Sequence, residues 1–434
     1  MANALEAEKK TYPSAAESAA LREKFVLQLP APMYAKPVQI VKGRGQFVWD
    51  ETGRKYLDAF AGVATVSIGH SHPHWLSKIK EQMDDYFHTP ALYLHPSLGL
   101  FAERLVKKLQ AANPELECAF FTNSGSEAND LAALIAKNAT GCSDFVALRH
   151  SYHGRTLMTM ALTGQSTWRH SLPYGQSVHF AQTNYTYRGV SWQAAVADLE
   201  DLIRTATGGK IAAYFAEPIN GVGGSITPEP EYFKAAYAVV KKYGGLFVAD
   251  EVQTGVGRTG THFLGIQNWG VKPDIVTMAK GLGNGYPIGA VITTRKIADS
   301  MKGKLHYNTF GGGPVQMAAA GATLDVIEKE NLQENARVVG AHLMDLLKKI
   351  KDPRIGEVRG MGLMIGVELV KDPKTKEPNT DLAVKVLEAV KDAGVLIGKG
   401  GLSGNVLRIK PPLCITKVDG EVISGAIEEA LKKA

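Results

Sequence analysis

Between residues 118 and 294 the chain repeats one pattern, and that pattern restricts the fold more than any other feature. Short apolar, β-branched runs alternate with longer stretches of helical spacing. The runs are CAFFT (118–122), DFVAL (144–148), IAAYFAE (211–217), GLFVADEV (245–252), DIVTMA (274–279) and AVITT (290–294). Helical spacing is expected over 127–137, 192–205, 230–243 and 314–330; Trp192, Ala195, Val196, Leu199 and Leu202 share one face. Strands that are apolar on both faces and separated by helices predict an α/β fold built on a mostly parallel sheet.

The two ends of the chain read differently. Residues 37–60 suggest a small antiparallel unit with a turn at Asp50–Gly53. Past residue 335 come a helix (338–351), a strand-like GLMIGVELV (362–370), a second helix (381–393) and the short strands VLIGK and NVLRIK. Both ends are expected to pack as one small α+β domain. Its N-terminal segment is 1–75 and its C-terminal segment 336–434, with a large cofactor-binding domain over 76–335.

Composition removes several function classes. The 434 residues carry a formal charge of +6, with basic residues scattered and no long run of one sign. Nucleic-acid binding needs a clustered basic face, so no nucleic-acid partner is expected, whereas a mild cationic surplus suits small carboxylates and phosphates. Cys118, Cys142 and Cys414 are far apart and form no CxxC pair, which predicts neither disulfide framework nor metal site. No stretch approaches the roughly 20 apolar residues of a membrane span. The first 25 residues include acidic side chains and lack an apolar core, so the expected location is cytoplasmic.

Four segments carry candidate chemistry. In FFTNSGSEAN a strand runs through Ser124-Gly125-Ser126 into a helix. Free N–H groups and a positive dipole end there make a phosphate cradle, although an ordinary serine cap with Glu127 in the first turn reads the same way. In GLFVADEVQTG a buried strand ends in carboxylates, with Asp250 and Val252 on one side and Glu251 on the other. An acid at the carboxyl end of such a strand can meet a ring N–H⁺, or it can be one half of a structural ion pair. In DIVTMAKGLGNGYP, Lys280 ends an apolar strand before three glycines. Desolvation there makes an amine nucleophilic toward carbonyls, unless the side chain snorkels to solvent. Finally, Tyr152-His153-Gly154 sets a flat aromatic after a strand, and Arg408 in VLRIKPP suits bidentate carboxylate binding if it points inward. The literal GxGxxG at 255–260 is a decoy, because no helical face follows it and a dinucleotide loop needs a helix to begin inside the glycines.

The order NSGSEAN, YHG, AEP, ADEVQTGVGRTG, TMAKGLGNGYP and NTFGG resembles the class III aminotransferases, from about Pro37 to the C-terminus. Within that family, FAGVATVSIGHSHP, PDIVTMAKGLGNGYPIGAVITT and RGMGLMIGVELVKD are most similar to alanine–glyoxylate aminotransferases of the second type. The resemblance implies a fold-type I transferase that binds pyridoxal 5′-phosphate (PLP), with a seven-stranded type of sheet in its large domain. It implies a ping-pong exchange, through aldimine and pyridoxamine forms, from alanine or a β/ω-amino acid to glyoxylate or pyruvate.

The resemblance also implies residue roles. Lys280 would carry PLP as a Schiff base and then move the Cα proton. Asp250 would hold the ring nitrogen protonated. Gly125 and Ser126 would bind the phosphate, Tyr152 and Val252 would cover the ring faces, and Gln253 would bond the phenolic oxygen. Glu217 would join the polar network behind the cofactor. Thr309 would reach the phosphate of a partner subunit in a homodimer or a dimer of dimers. Arg408 would bind the substrate carboxylate, and Tyr34, Val63 and Tyr152 would line the substrate pocket.

Two departures from the family pattern stand out. Relatives that alternate an ω-amino donor (ornithine, acetylornithine, 4-aminobutyrate) with 2-oxoglutarate often read EPxQGEGG, whose second Glu gates the arginine. Here Val222 stands in that place, which leaves Arg408 ungated and favours a small oxo acid over a strict ornithine or 4-aminobutyrate enzyme, with an aminomutase on the same scaffold as a further alternative. The usual GGNP is replaced by Gly311-Gly312-Gly313-Pro314, which alters the chain near Thr309.

Overall fold

The computed structural model describes residues 12–27 and 32–434. The expectation of an untargeted N-terminus falls partly on residues outside that range. A seven-stranded sheet runs in the order Leu116–Thr122, Gly289–Thr294, Ile275–Met278, Leu246–Asp250, Ala213–Ala216, Phe145–Leu148, Val178–Ala181. The last five strands are mutually parallel. Gly289–Thr294 is antiparallel to both neighbours. The cause is local: residues 279–288 make too short a link for the helical crossover that a parallel strand requires. That short link is also the one that carries Lys280. Four of the central strands are buried at every position, as expected for a sheet covered by helices on both faces.

The expected helices form at Gly125–Thr140, Trp192–Ala206, Tyr232–Lys242, Pro314–Lys329, Leu332–Lys349 and Thr380–Asp392. Two strands have no counterpart in the sequence reading. Val178–Ala181 is a four-residue edge strand containing a histidine, and Ile355–Met361 is interrupted by Gly356 and Gly360.

The chain ends do meet. Ile40–Arg44, Phe47–Asp50 and Lys55–Asp58 form an antiparallel meander, which Val395–Leu396 completes by pairing in parallel with Lys55–Asp58. A second antiparallel sheet, ordered Ile355–Met361, Met364–Leu369, Val406–Ile409, Gly398–Gly400, presents Arg408. Among the described residues no helix is long and apolar enough to cross a membrane.

The GxGxxG segment is a clasp between these units. No helix starts inside it. Arg258, only 1% exposed, donates to the carbonyls of Pro411 and Leu363. At Gly260, with φ +84°, a Cβ would lie 2.6 Å from the backbone of Arg337.

Candidate active site

A 290 Å³ cavity opens at the carboxyl ends of the central strands, and the chemistry-bearing segments converge on it. Its first wall is the start of the Gly125–Thr140 helix. Ser124 caps that helix by accepting from Glu127 N at 3.2 Å, and Ala128 N bonds to Ser124 O, which leaves the N–H groups of Gly125 and Ser126 at the cavity those residues line. Gly125 is required there, because a Cβ would stand 3.0 Å from both methyls of Val252. The Ser-Gly-Ser motif and the strand-end valine are therefore fitted to each other. Opposite Ser126 sits Gly154, whose added Cβ would meet Ser126 Oγ at 2.6 Å.

Asp250 ends its strand 3% exposed. Its Oδ2 accepts from Asn129 Nδ2 and His153 Nδ1, both at 2.8 Å, and its Oδ1 accepts from Val252 N at 3.1 Å. Asn129 is itself fixed by Thr277, whose hydroxyl donates to Asn129 Oδ1 at 2.7 Å. The carboxylate is thus oriented by two side chains on one oxygen, with capacity left on the other for an N–H⁺ inside the cavity that Asp250 lines. Neighbouring Glu251 points the other way, as strand alternation requires. It accepts from Thr254 Oγ1, Gly265 N and Ile266 N, and burial pushes its pKa up to about 7.

Lys280 follows the Ile275–Met278 strand and lines the same cavity. Its φ of +43° is rare for a side-chain-bearing residue and turns the chain sharply out of the sheet. Desolvation lowers its pKa, while the charges of Asp250 and Glu217 oppose that shift. The loop is lashed down by Asn284, which accepts from Ile68 N at 2.9 Å and donates to Gly69 O at 3.1 Å. Glu217 is 3% exposed and accepts from Tyr152 N and Gly221 N; burial raises its pKa.

Of the residues singled out in the sequence, Gly125, Ser126, Tyr152, Glu217, Asp250, Val252, Gln253 and Lys280 line this cavity. Four others do not. Thr309 is exposed, on a loop whose Asn308 is tied to Asn123 and Glu127 at the cup. Arg408 is buried just behind the wall. It donates to Gly221 O at 3.0 Å and packs 5.2 Å from the ring of Phe60. Tyr34 lies outside this cavity, and its hydroxyl donates to Ile397 O at 2.9 Å. Val63 lies outside it as well. It belongs to a turn in which Ala61, Gly62, Val63 and Ala64 all have positive φ, and this turn presents Thr65 to the cavity instead.

Sequence reasoning missed Asn129, His153 and Lys410. Asn129 lies one helical turn beyond Ser126, and Lys410 shares a strand face with Arg408, so both had a periodicity signal. Among the described residues no cluster of His, Cys, Asp and Glu is gathered as metal ligands would be.

A cup of helix N–H groups, an oriented buried carboxylate and a desolvated amine on one cavity fit PLP: phosphate, ring nitrogen and aldehyde each find their complement. Comparison with known proteins agrees. The family model for aminotransferase class-III matches residues 31–431. An Arabidopsis thaliana protein described as alanine–glyoxylate aminotransferase 2 homolog 2, mitochondrial, is 47% identical, covering 98% of this chain and 89% of the relative. A Bacillus anthracis aminotransferase structure superposes with TM-score 0.91 at 32% identity, over 96% of this chain and 98% of that one. An amine transaminase from an uncultivated Pseudomonas species, solved in its PLP-bound internal aldimine form, gives TM-score 0.87 at 31% identity, over 98% and 99% of the two chains. The chain belongs to the class III aminotransferases. It is a PLP-dependent transaminase of fold-type I.

Proposed function

We propose that this transaminase moves the amino group of alanine, or of a β/ω-amino acid, to glyoxylate or pyruvate. The observation that carries the choice of acceptor is Arg408. It is buried and has no carboxylate within ion-pair distance among the described residues. Val222 is its neighbour across Gly400, where a Cβ would lie 2.7 Å from Arg408 Cδ and 2.9 Å from Val222 O. An arginine left free of a gating glutamate is available to a small oxo acid in one half-reaction and a small amino acid in the other. The relative described as an alanine–glyoxylate aminotransferase supports the same pair.

Each residue then has a task. The N–H groups at Gly125 and Ser126 hold the phosphate, and Tyr152 and Val252 enclose the ring. Asp250, fixed by Asn129 and His153, keeps a proton on the ring nitrogen. Bound PLP supplies an electron sink for the charge that develops at the substrate Cα. Lys280, whose amine lines the same cavity, would be the base that moves the substrate Cα proton. Arg408 orients the substrate carboxylate, and Glu217 holds Tyr152 and the 217–221 turn in place.

The site works as part of a homodimer. Thr309 is exposed next to exposed Phe310; Leu305 in the same segment and Phe87, Leu92 and Leu94 in the 87–94 segment are exposed as well, Leu94 and Leu305 fully. His88 and Phe310 stack at 5.6 Å, which joins the two segments. A monomer rarely leaves such a patch uncovered, and a second copy brings its own Thr309 to the neighbouring cup. The compartment we propose is the cytoplasm, on the three free cysteines. Because the Arabidopsis relative is described as mitochondrial, imaging of the natively expressed full-length chain is the deciding measurement.

The test of function is a half-reaction panel on purified protein. Alanine and 3-aminoisobutyrate should bleach the Schiff-base absorbance, and glyoxylate or pyruvate should restore it. Ornithine or 4-aminobutyrate bleaching faster than alanine would reverse the assignment. Lys280→Ala should fold, bind PLP without the Schiff-base band, and lose turnover; a retained band would assign the band to another lysine.

A further inference from the structure

Behind Gln253 lies a second buried lysine that the mechanism above leaves without a task. Lys410 is 0% exposed. Its Nζ donates to Gln253 Oε1 at 2.8 Å and to Gly221 O at 3.3 Å, the carbonyl that also takes Arg408 Nη1 at 3.0 Å. The groups facing it are Arg408, Glu217, Lys280 and Arg258. A buried lysine among three other cations is costly to keep unless it has work to do.

The chemistry of the contact defines that work. A primary amide has an acceptor end and a donor end of nearly equal shape, so its orientation is set by its partners. An ammonium can only donate, and a neutral amine still has one N–H for each of the two oxygens here. Burial, reinforced by Arg408, pushes the amine toward the neutral form without removing either contact. With Oε1 held by Lys410, the NH₂ end is what Gln253 offers to the cavity it lines. Gly221 leaves room for this pose, since a Cβ there would lie 2.4 Å from Gln253 Nε2. Any acceptor on the cofactor beside Lys280 then meets a donor. In PLP that acceptor is the phenolic oxygen, which sits ortho to the carbon that Lys280 attacks.

We infer that Lys410 is a positioning residue which fixes the Gln253 amide as a hydrogen-bond donor to the cofactor's phenolic oxygen, and so sets the proton affinity of the Schiff base. The inference rests on the PLP reading of the cavity. A phenolic oxygen that loses a donor becomes a stronger base and holds the shared Schiff-base proton more tightly. Removing the Lys410 contact therefore raises the pH at which that proton is lost.

The experiment is a spectrophotometric pH titration of the holoenzyme. Lys410→Met should move the midpoint of the Schiff-base band upward by about half to one pH unit, a three- to tenfold gain in proton affinity. Lys410→Gln, shorter but polar, should move it the same way and guards against a methionine variant that does not fold. In a Gln253→Leu background neither change at 410 should move the midpoint further, because the effect passes through the amide. An unchanged midpoint in the single variants overturns the inference. So does a shift of equal size in the Gln253→Leu background, which would assign it to charge alone. A wild-type protein with no Schiff-base band would instead overturn the PLP reading itself.

Discussion

Replacing Gly154 by alanine puts a methyl group where the cup has no room for one. The backbone there has φ +142°, and the new Cβ would lie 2.6 Å from Ser126 Oγ, 2.7 Å from Thr159 Oγ1 and 2.9 Å from Ser126 Cα. Ordinary contact begins at 3.4 Å, so the start of the Gly125–Thr140 helix must retreat by about half an ångström at its backbone and further at its hydroxyl. The bond from Arg155 N to Ser126 Oγ at 3.0 Å is strained in the same move. Backbone strain of about 1–3 kcal/mol and overpacking of about 1–3 kcal/mol together cost roughly 4 kcal/mol. At about 2 cal/mol/K of unfolding entropy per residue, that is a fall of roughly 4 °C in Tm for a chain of this length. Because the displaced atoms are the phosphate donors we propose, PLP affinity should also fall by about tenfold or more, at about 1.4 kcal/mol per decade. Thermal melts of apo- and holoenzyme, with PLP titrated into the apoenzyme, read both quantities. An affinity within threefold of wild type would refute the placement of the phosphate against Ser126.

Four further outcomes follow from the same contacts. Gly425→Ala, in the exposed interior of the Lys417–Lys433 helix with open space around its Cα, should raise stability by about 0.5–1 kcal/mol in a melt, the opposite sign to Gly154→Ala. Val222→Glu should give Arg408 a carboxylate partner and lower kcat/KM for glyoxylate or pyruvate by about tenfold or more in steady-state assays; an unchanged ratio would remove Val222 from the specificity argument. Arg359 donates to Glu357 and Glu368 at 2.6 Å and to Gly224 O at 2.9 Å, so Arg359→Met should cost about 3–5 kcal/mol in denaturant unfolding. Glu251 has its folded pKa raised from 4.5 to about 7, so the folded state holds a proton that the unfolded state has lost across that window. Stability should fall as pH rises through it, by on the order of 3 kcal/mol, and Glu251→Gln should flatten that slope in melts between pH 5 and 8.

The central sheet and the charged residues that end its strands at the cavity were readable because burial on both faces writes a run of apolar residues, and a charge that ends such a run has few other uses. Asp250 and Lys280 are of this kind. The partners that orient them carried at most a periodicity signal. Asn129 and His153 look like ordinary helix and loop residues until the fold brings both to one oxygen of Asp250. Lys410 shares a strand face with Arg408, but a lysine beside an arginine reads as surface charge until burial is known. Tyr34 shows the opposite case. A tyrosine near a pocket looks like a substrate contact, yet one carbonyl, Ile397 O, takes its hydroxyl. The four-residue strand Val178–Ala181 is too short, and Ile355–Met361 too rich in glycine, to show a period of two.

The meander of residues 40–58 has a consequence for synthesis. Its last strand, paired on one side with Phe47–Asp50, lacks its second neighbour until Val395–Leu396 arrives, since Leu57 pairs with Val395. During translation the first strands to leave the ribosome are thus among the last to be completed, and Lys55–Asp58 waits as an open edge while the large sheet assembles between the two halves of its own partner unit. Such long-range closure is slow and exposes pairing edges meanwhile. Refolding from denaturant should therefore show the large sheet forming ahead of the small one, and truncation before residue 395 should yield aggregating chains, whatever the state of the catalytic cavity.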